Sequence, residues 1–347
     1  MHRADYDLAM LLKYENVAWY EDGKVRILDR RVYPIKTEYV VCETYGQVAR
    51  AIADMVTQSG GPYTAASMGM ALAAYEGASL AEDKFIAHMT NAAHTLANAR
   101  PTTAKNMALI TERAMNVVRN ELLAGRSGRT VVDAVFSDNI DRLNEHYTRY
   151  EKTGEHLCDL IPGNGVAMTQ CFAETVVGML LRALRNRKSG GNVKFICPET
   201  RPYYQGARLT ASVIRDMGFD VTVISDNMPA AVMKAKNVDI FTSAADVICM
   251  DGHIVNKTGT FQIALAAKHW GIPYFVTGTP NRQHPTIDTV TIEQRDPALV
   301  LESMGLKHTL PGVAGYYPAF DITPPKFCDG VVTDKGVFSC YDLMRYF

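Results

Sequence analysis

Hydrophobic and polar positions follow two different periods along the chain. Residues 47–125 contain Ala- and Met-rich stretches with the spacing of a helix, broken at Gly60-Gly61-Pro62 and at Arg100-Pro101. From Val166 onward, short apolar runs alternate with helix-like segments. The first pattern predicts helices packed on one another, and the second predicts βαβ units around a parallel sheet.

Turn signals set the boundaries of the predicted domains. Two short alternating segments flank Asp22-Gly23, which is the signature of an antiparallel hairpin. Arg126-Ser127-Gly128 interrupts the helical pattern, and a periodic segment over 130–150 leads toward the second half. We therefore predict an α/β protein in which residues 1–127 form a small antiparallel sheet with a helical domain, and residues 128–347 form a Rossmann-like domain with a parallel sheet. The runs expected to form its strands are 193–197, 221–225, 240–244 and 274–277.

Composition narrows the class of protein and of ligand. The 347 residues are 47% hydrophobic and 21% charged, enough for a large core, and the formal net charge is -1. That balance does not favour a nucleic-acid partner, so a small molecule is the better ligand. Seven cysteines without a CxxC pair predict neither a disulfide framework nor a zinc knuckle. Charged residues lie throughout the first twenty positions and no apolar run is long enough to span a membrane, so we expect a cytoplasmic protein.

The richest candidate binding segment is 199–209, which follows a predicted strand. It holds a Glu, two Arg, a Gln and a Gly within one turn. Such loops bind small anionic ligands in α/β proteins, so a sugar phosphate or a nucleotide is the first ligand to consider. Neither GxGxxG nor GxxxxGK[ST] occurs, so no dinucleotide site or P-loop is predicted. The histidines lack metal-binding spacing, and we expect no required metal and no cofactor.

Two residues after predicted strands have the chemistry of proton transfer. Cys171 lies where a short strand runs into a helix expected to begin near Phe172 or Ala173, and the helix dipole would lower the pKa of its thiol. A buried structural cysteine is the alternative interpretation. Asp246 follows the strand over 240–244 between two apolar residues, which would desolvate its carboxylate and raise its pKa. A helix cap or a solvated loop acid is the alternative there.

Four further residues offer contacts to an anion. Lys257 follows Asn256 at the expected start of a helix, where an ammonium and backbone N–H groups would converge on one phosphate. Arg100 lies at a turn between two predicted helices and could close over the same phosphate. Gln205 would add a side-chain amide. An ordinary surface position is the alternative for Lys257 and for Arg100.

Several of these segments together resemble one family. The segment ETRPYYQGARLTA over 199–211, with DNM over 226–228, Asp246, VNKTGT over 255–260 and PAFDITP over 318–324, is similar to the methylthioribose-1-phosphate isomerase family. That family is related to ribose-1,5-bisphosphate isomerases and to regulatory subunits of the eukaryotic exchange factor of translation initiation. The resemblance covers most of the chain and is densest from about Gly165 to the end.

The resemblance implies a homodimeric aldose–ketose isomerase that acts on a ribose 1-phosphate modified at C5. In the family, the residues that match Cys171 and Asp246 are the catalytic pair. Because the phosphate at C1 locks the sugar ring, the free-aldehyde route is closed. Asp246 is then expected to handle protons at the ring oxygen and hydroxyls, and Cys171 to act at C2, either as the base of an enediol route or as an aid to a hydride shift. The residues implied to surround the substrate are Gly60, Gly61, Arg100, Gln205, Asn256 and Lys257.

The chain departs from the family pattern in two places. The family loop Arg-Gly-Ala-Pro-Ala-Ile-Gly is here Ser59-Gly60-Gly61-Pro62-Tyr63-Thr64-Ala65, so an arginine near the phosphate is missing. The family's His-Cys-Asn is Gln170-Cys171-Phe172. These changes leave open another 5-modified or differently phosphorylated pentose as the substrate.

Two other functions compete with the isomerase. One is a non-catalytic regulatory subunit that binds a sugar phosphate or a nucleotide in the same fold. The retention of both Cys171 and Asp246 argues against it, because a sensor does not need them. The other is a nucleotide-dependent Rossmann enzyme, which the missing glycine fingerprint disfavours.

Overall fold

Ten helices and fifteen strands can be assigned in the computed structural model, which describes residues 3–100, 104–188 and 191–347. The helices are α1 (Tyr14–Val17), α2 (Tyr45–Ala53), α3 (Gly61–Gly77), α4 (Glu82–Ala97), α5 (Ala104–Leu123), α6 (Arg129–Asp159), α7 (Thr175–Asn186), α8 (Ala211–Asp216), α9 (Pro229–Ala235) and α10 (Thr260–Trp270). The strands are β1 (Ala18–Glu21), β2 (Lys24–Leu28), β3 (Tyr39–Cys42), β4 (Val166–Met168), β5 (Lys194–Pro198), β6 (Asp220–Ile224), β7 (Ile240–Ala244), β8 (Val247–Ile248), β9 (Ile254–Lys257), β10 (Tyr274–Thr277), β11 (Glu302–Ser303), β12 (Leu306–Lys307), β13 (Phe320–Thr323), β14 (Gly330–Thr333) and β15 (Gly336–Phe338).

The first compact unit, Met1–Thr148, combines a small antiparallel sheet with helices. Strands β1, β2 and β3 pair in that order, and Asp22 and Gly23 form the predicted turn with φ of +47° and +76°. Helix α3 is buried on nearly all sides, because its Ala, Met and Gly side chains present no polar face. The predicted sheet and the helical character of this half are confirmed.

The second compact unit, Arg149–Phe347, is built on a seven-stranded sheet in the order β15-β14-β10-β7-β4-β5-β6. All neighbouring strands pair in parallel except β14 and β15. The four runs predicted as strands are β5, β6, β7 and β10. Since β4 lies between β5 and β7, the chain moves to opposite sides of the sheet from this point, which creates a switch point at the carboxyl ends of β4 and β7. The predicted fold class is confirmed.

The two units divide at Thr148, within helix α6. The sequence placed the boundary at 127/128, where a glycine-containing turn precedes this helix. Helix α6 continues unbroken across the unit boundary, so the change of unit has no turn signal. No helix in the described part of the chain combines the length and apolar character needed to cross a membrane.

Candidate active site

Cys171 lies on a strained turn that follows β4. Its φ is +58°, and three nearby non-glycine residues, Glu174, Thr200 and Tyr204, also have positive φ. Each such residue costs about 1–3 kcal/mol, and such strain is concentrated at functional sites. The Cys171 N–H donates to Thr200 Oγ1 at 3.3 Å, and its carbonyl accepts from the Thr210 hydroxyl. The turn is therefore held by side chains rather than by a regular helix.

Helix α7 begins at Thr175 and not near Phe172, so the predicted helix start is wrong. Cys171 precedes the first turn of that helix and gains little from its dipole, which acts mainly within one turn. Burial instead raises the pKa of the Cys171 thiol to about 11. The charge of Lys257 opposes this increase and that of Asp246 adds to it. The expected lowering of the thiol pKa is also wrong, and the thiol holds its proton at neutral pH.

Asp246 follows the end of β7 by two residues, as predicted. Its N–H donates to the Val255 carbonyl at 2.9 Å, which ties the turn to β9. The residue is exposed rather than desolvated, contrary to the expectation from its apolar neighbours in sequence. The charge of Asp246 nevertheless affects the Cys171 thiol, so the switch point brings the two residues into one electrostatic environment.

Two buried glutamine oxygens lack hydrogen-bond partners within the described residues: Gln205 Oε1 and Gln170 Oε1. Gln205 is 6% exposed and precedes a π-helical turn, Gly206–Thr210. A Cβ on Gly206 would lie 1.8 Å from the Pro198 carbonyl oxygen, so only glycine permits this close approach. Gln170 donates through Nε2 to the Thr258 carbonyl at 3.4 Å. Buried acceptors of this kind are rare in folded proteins, and each can accept a hydrogen bond from water or from a ligand.

Lys257 ends strand β9 and does not open a helix, so the predicted context is wrong. The residue is 4% exposed, with Nζ 3.4 Å from the Tyr317 hydroxyl and 5.1 Å from the centroid of the Phe320 ring. Its neighbour Asn256 is also buried and donates to Thr260 Oγ1 at 3.0 Å. Lys257 is thus a buried cation whose charge acts on the Cys171 thiol.

Asp321 occupies the helix start that was expected to bind phosphate. Its Oδ2 accepts from the N–H groups of Gly259 and Phe261 at 2.7 and 3.1 Å, at the beginning of α10. Burial raises the pKa of Asp321 to about 6, although the two N–H groups and the charge of Lys257 oppose the increase. The backbone N–H groups therefore bind a carboxylate of the chain, and the predicted convergence of N–H groups on a phosphate is wrong.

Residue-level reasoning missed Asp321, Arg295 and Tyr317. The Arg295 guanidinium pairs with Glu293 at 2.8 Å, lies 5.6 Å from the Tyr203 ring centroid, and lowers the pKa of Cys171. Asp321 lies within the PAFDITP segment that resembles the family, which was the only available signal. Among the described residues, no group of three or more His, Cys, Asp or Glu is placed to hold a metal ion.

The remaining predicted residues belong to the first unit. Gly60 precedes α3 and Gly61 is its first residue, and Gly61 is buried. Arg100 follows the end of α4, is partly buried, and adjoins the undescribed residues 101–103. The turn position predicted for Arg100 is confirmed, while the contacts of all three residues with substrate stay predictions.

Comparison with known proteins defines the family. Residues 60–340 match the Initiation factor 2 subunit family. The chain belongs to this family. It is 33% identical over 333 residues to the methylthioribose-1-phosphate isomerase of Chloroflexus aurantiacus, with 92% of this chain and 94% of that protein covered. It is 32% identical over 338 residues to the isomerase of the same name from Geobacter metallireducens, with 94% and 96% covered.

Two solved structures share this fold over nearly the whole chain. The 5-methylthioribose 1-phosphate isomerase from Pyrococcus horikoshii OT3 superposes with a TM-score of 0.83 at 26% identity, covering 97% of this chain and 98% of that one. The translation initiation factor eIF-2B subunit delta from A. fulgidus gives 0.81 at 30% identity, covering 95% and 97%. The resemblance predicted from the sequence is confirmed, and the curated relatives support the predicted enzyme class, an isomerase.

Proposed function

We propose that this chain is an aldose–ketose isomerase that converts a 5-modified ribose 1-phosphate, methylthioribose 1-phosphate or a close analogue, to the ribulose 1-phosphate. The observation that carries the proposal is the desolvated Cys171 thiol at the switch point, under the influence of the charges of Asp246 and Lys257. Perturbed titratable groups at the carboxyl ends of parallel strands are typical of catalytic sites. The names of the curated relatives support the same reaction class.

The reaction requires four coupled changes in the sugar. The bond from C1 to the ring oxygen breaks, the ring oxygen gains a proton, the C2 hydroxyl loses one, and the hydrogen on C2 moves to C1. Asp246 is proposed to transfer protons between the oxygen atoms, since an exposed carboxyl exchanges protons readily with hydroxyls and water. Cys171 is proposed to act at C2.

The protonated state of Cys171 constrains how it acts. A thiol with a pKa of about 11 is neutral at pH 7, so it is not a preformed base. In an enediol route the thiol must transfer its proton before the thiolate removes the hydrogen of C2. In a hydride shift the neutral thiol stays beside C2 and excludes water. Substrate deuterated at C2 separates these routes, because the enediol route loses deuterium to water and the hydride shift retains it at C1.

The other predicted residues are proposed to bind the substrate. The free oxygens of Gln205 and Gln170 are suited to accept hydrogen bonds from sugar hydroxyls, and the buried Lys257 offsets negative charge that develops during the reaction. Asn256, next to Lys257, is also proposed to contact the substrate. Contacts of the first-unit residues Gly60, Gly61 and Arg100 with the substrate stay predictions. A homodimer and a cytoplasmic location stay predictions.

The decisive experiment is an assay of purified protein against pentose 1-phosphates that differ at C5. Ribose 1-phosphate, 5-deoxyribose 1-phosphate, methylthioribose 1-phosphate and ribose 1,5-bisphosphate are incubated at equal concentration, and ketose formation is followed by NMR. We expect conversion of at least one compound with a modified C5, and none by the Cys171→Ala variant. Absence of turnover with all four compounds would reject the proposal.

A regulatory subunit is the second candidate, because the match to the eIF-2B subunit delta structure is comparable in TM-score and slightly higher in identity than that to the isomerase structure. That function predicts ligand binding without turnover. Mass spectrometry of the ligand retained by the protein, together with the assay above, separates the two. A bound sugar phosphate recovered unchanged after prolonged incubation would favour the regulatory subunit.

A further inference from the structure

Tyr317 places a buried hydroxyl at the candidate active site, and the reaction proposed above gives this hydroxyl no task. The residue is 5% exposed and lies three residues before strand β13, in the second compact unit. Its carbonyl accepts from the Arg295 N–H at 3.0 Å, and the carbonyl of the next residue, Pro318, accepts from Thr258 Oγ1 at 2.6 Å. The main chain around Tyr317 is therefore held from two sides.

Thr258 also connects this segment to the turn that carries Cys171. The Thr258 carbonyl accepts from Gln170 Nε2 at 3.4 Å, and Gln170 directly precedes Cys171. Burial raises the pKa of Tyr317, and the nearby Cys171 thiol adds to the increase. The Tyr317 hydroxyl and the Cys171 thiol thus share one electrostatic environment, in which every connecting residue belongs to the second unit.

The direction of the Tyr317 hydroxyl proton follows from its contact with Lys257. Lys257 Nζ lies 3.4 Å from the hydroxyl oxygen. An ammonium group has donors only, so the tyrosine oxygen accepts in this contact and its own proton points elsewhere. Among the residues that the structure describes, none accepts a hydrogen bond from the Tyr317 hydroxyl. A buried donor of this kind is uncommon, and it is suited to donate to a ligand or to water.

The Tyr317 hydroxyl keeps its proton at neutral pH. Burial raises its pKa above the ordinary value of 10, although the charge of Arg295 opposes the increase. A phenolate that could act as a base is therefore not formed at pH 7. The Lys257 ammonium that donates to the hydroxyl oxygen polarises the O–H bond, which makes it a stronger hydrogen-bond donor.

We propose that the Tyr317 hydroxyl donates a hydrogen bond to the oxygen on C2 of the sugar and stabilises the negative charge that develops there. This inference rests on the proposed function and names a further catalytic residue of it. The C2 hydroxyl loses its proton in that reaction, and a donor fixed in a buried site stabilises an oxygen that becomes more negative. The C2 oxygen is chosen because Cys171, in the same environment, is proposed to act at C2. Tyr317 keeps its own proton throughout.

The kinetic test compares Tyr317→Phe with Tyr316→Phe. Tyr316 is the adjacent tyrosine and is 75% exposed, so it serves as the matched control. We expect Tyr317→Phe to lower kcat about 10²- to 10³-fold, as loss of one such donor does, with KM raised by no more than about tenfold. Tyr316→Phe should leave both constants unchanged. A Tyr317→Phe enzyme with more than a third of the wild-type kcat would overturn the inference.

A ligand without the C2 oxygen separates a direct contact from a role in positioning Lys257. Ribose 1-phosphate and 2-deoxyribose 1-phosphate are titrated by calorimetry in the Cys171→Ala background, so that the sugar is not converted. We expect the added Tyr317→Phe change to weaken binding of ribose 1-phosphate about 3- to 10-fold, as loss of one hydrogen bond predicts, and that of 2-deoxyribose 1-phosphate less than twofold. Equal weakening of both ligands would show that Tyr317 acts through Lys257 and would reject the inference.

The same titrations distinguish failure of this inference from failure of the proposed function. If the wild type binds ribose 1-phosphate but converts no pentose 1-phosphate, the proposed function fails, and the two affinities still decide whether Tyr317 contacts the C2 oxygen. If the wild type is active and Tyr317→Phe binds both ligands normally, only this inference fails. If Tyr317→Phe does not fold, Tyr317→Met is titrated instead: selective loss of ribose 1-phosphate binding supports the contact, and equal loss of both rejects it.

Discussion

The turn after β4 and the turn after β7 lie side by side at the switch point, but Cys171 on the first and Asp246 on the second differ in solvent exposure. Burial raises the pKa of the Cys171 thiol, on a backbone with positive φ at Cys171 and Glu174. Asp246 is exposed, on a turn whose N–H is bound to β9. Both residues lie at the carboxyl edge of the sheet because each follows a parallel strand. The packing of the segments that come after them decides which one contacts solvent.

This contrast assigns different tasks to the two residues. A neutral thiol in a desolvating environment gives up its proton only to a group held close to it, because burial disfavours the thiolate. An exposed carboxyl can exchange protons with both substrate and solvent. The contrast therefore predicts that loss of the Cys171 thiol lowers kcat more than loss of the Asp246 carboxyl does.

Removal of the thiol should have the largest effect. We expect Cys171→Ala to lower kcat by about 10³- to 10⁴-fold, the range attributed to a positioned acid–base group, with the fold intact. Cys197→Ala is the matched control, because Cys197 is a fully buried thiol near the end of the adjacent strand β5 whose pKa burial raises to about 12. Steady-state kinetics and circular dichroism of both variants measure this. A Cys171→Ala enzyme with more than a tenth of wild-type kcat would contradict the assignment.

The protonation of Cys171 can be read from its alkylation by iodoacetamide. Only the thiolate reacts, so with a pKa of about 11 the rate should rise roughly tenfold per pH unit, or about 10³-fold from pH 7 to pH 10. The other six cysteines are buried, and intact-protein mass spectrometry against Cys171→Ala assigns the modified residue. A rate that levels off below pH 8 would show a lowered thiol pKa and would remove the contrast with Asp246.

Loss of the Asp246 carboxyl should lower kcat less than loss of the thiol. We expect Asp246→Asn to lower kcat by about 10²-fold, because water can replace part of the proton transfer at an exposed position. Asp239→Asn is the control, since Asp239 lies at the opposite, amino end of β7 and its Oδ2 accepts from the Val166 N–H at 2.8 Å. Measurement of kcat for both variants tests whether activity belongs to the carboxyl edge of the sheet. Equal losses in the two variants would indicate a structural effect.

The positions of both turns were predictable from sequence, because four apolar runs alternating with helices identify parallel strands, and the side chains that follow them share one edge. The solvent exposure of Cys171 and Asp246 was not predictable. The apolar neighbours of Asp246 suggested burial, but they flank it along the chain rather than covering it. The start of α7 was also unpredictable, since Phe172 and Ala173 continue an apolar pattern that the positive φ of Cys171 and Glu174 interrupts.

The prediction that Lys257 opens a helix was wrong for a different reason. Residues 254–257 form the middle strand of a small antiparallel sheet with β8 and β13, a pairing between segments more than sixty residues apart. No local pattern reports such a partner. The pairing sets Asn256 opposite Asp321, which brings a carboxylate to the start of α10 where the sequence suggested a phosphate.

Asp321 offers the test with the smallest expected effect. It has a carboxyl, as Asp246 does, and burial raises its pKa, as it does for Cys171. Its pKa in the folded protein is about 6, above the ordinary value of 3.8, so the folded state binds this proton more tightly than the unfolded state. The resulting stability is present below about pH 4 and is lost as pH rises through 6. We expect the unfolding free energy of the wild type to fall relative to Asp321→Asn by roughly 1 kcal/mol between pH 4.5 and pH 7.5, after allowance for partial exposure. Urea denaturation of both proteins across this range measures the difference, and a constant difference would mean that water, rather than protein, surrounds the Asp321 carboxyl.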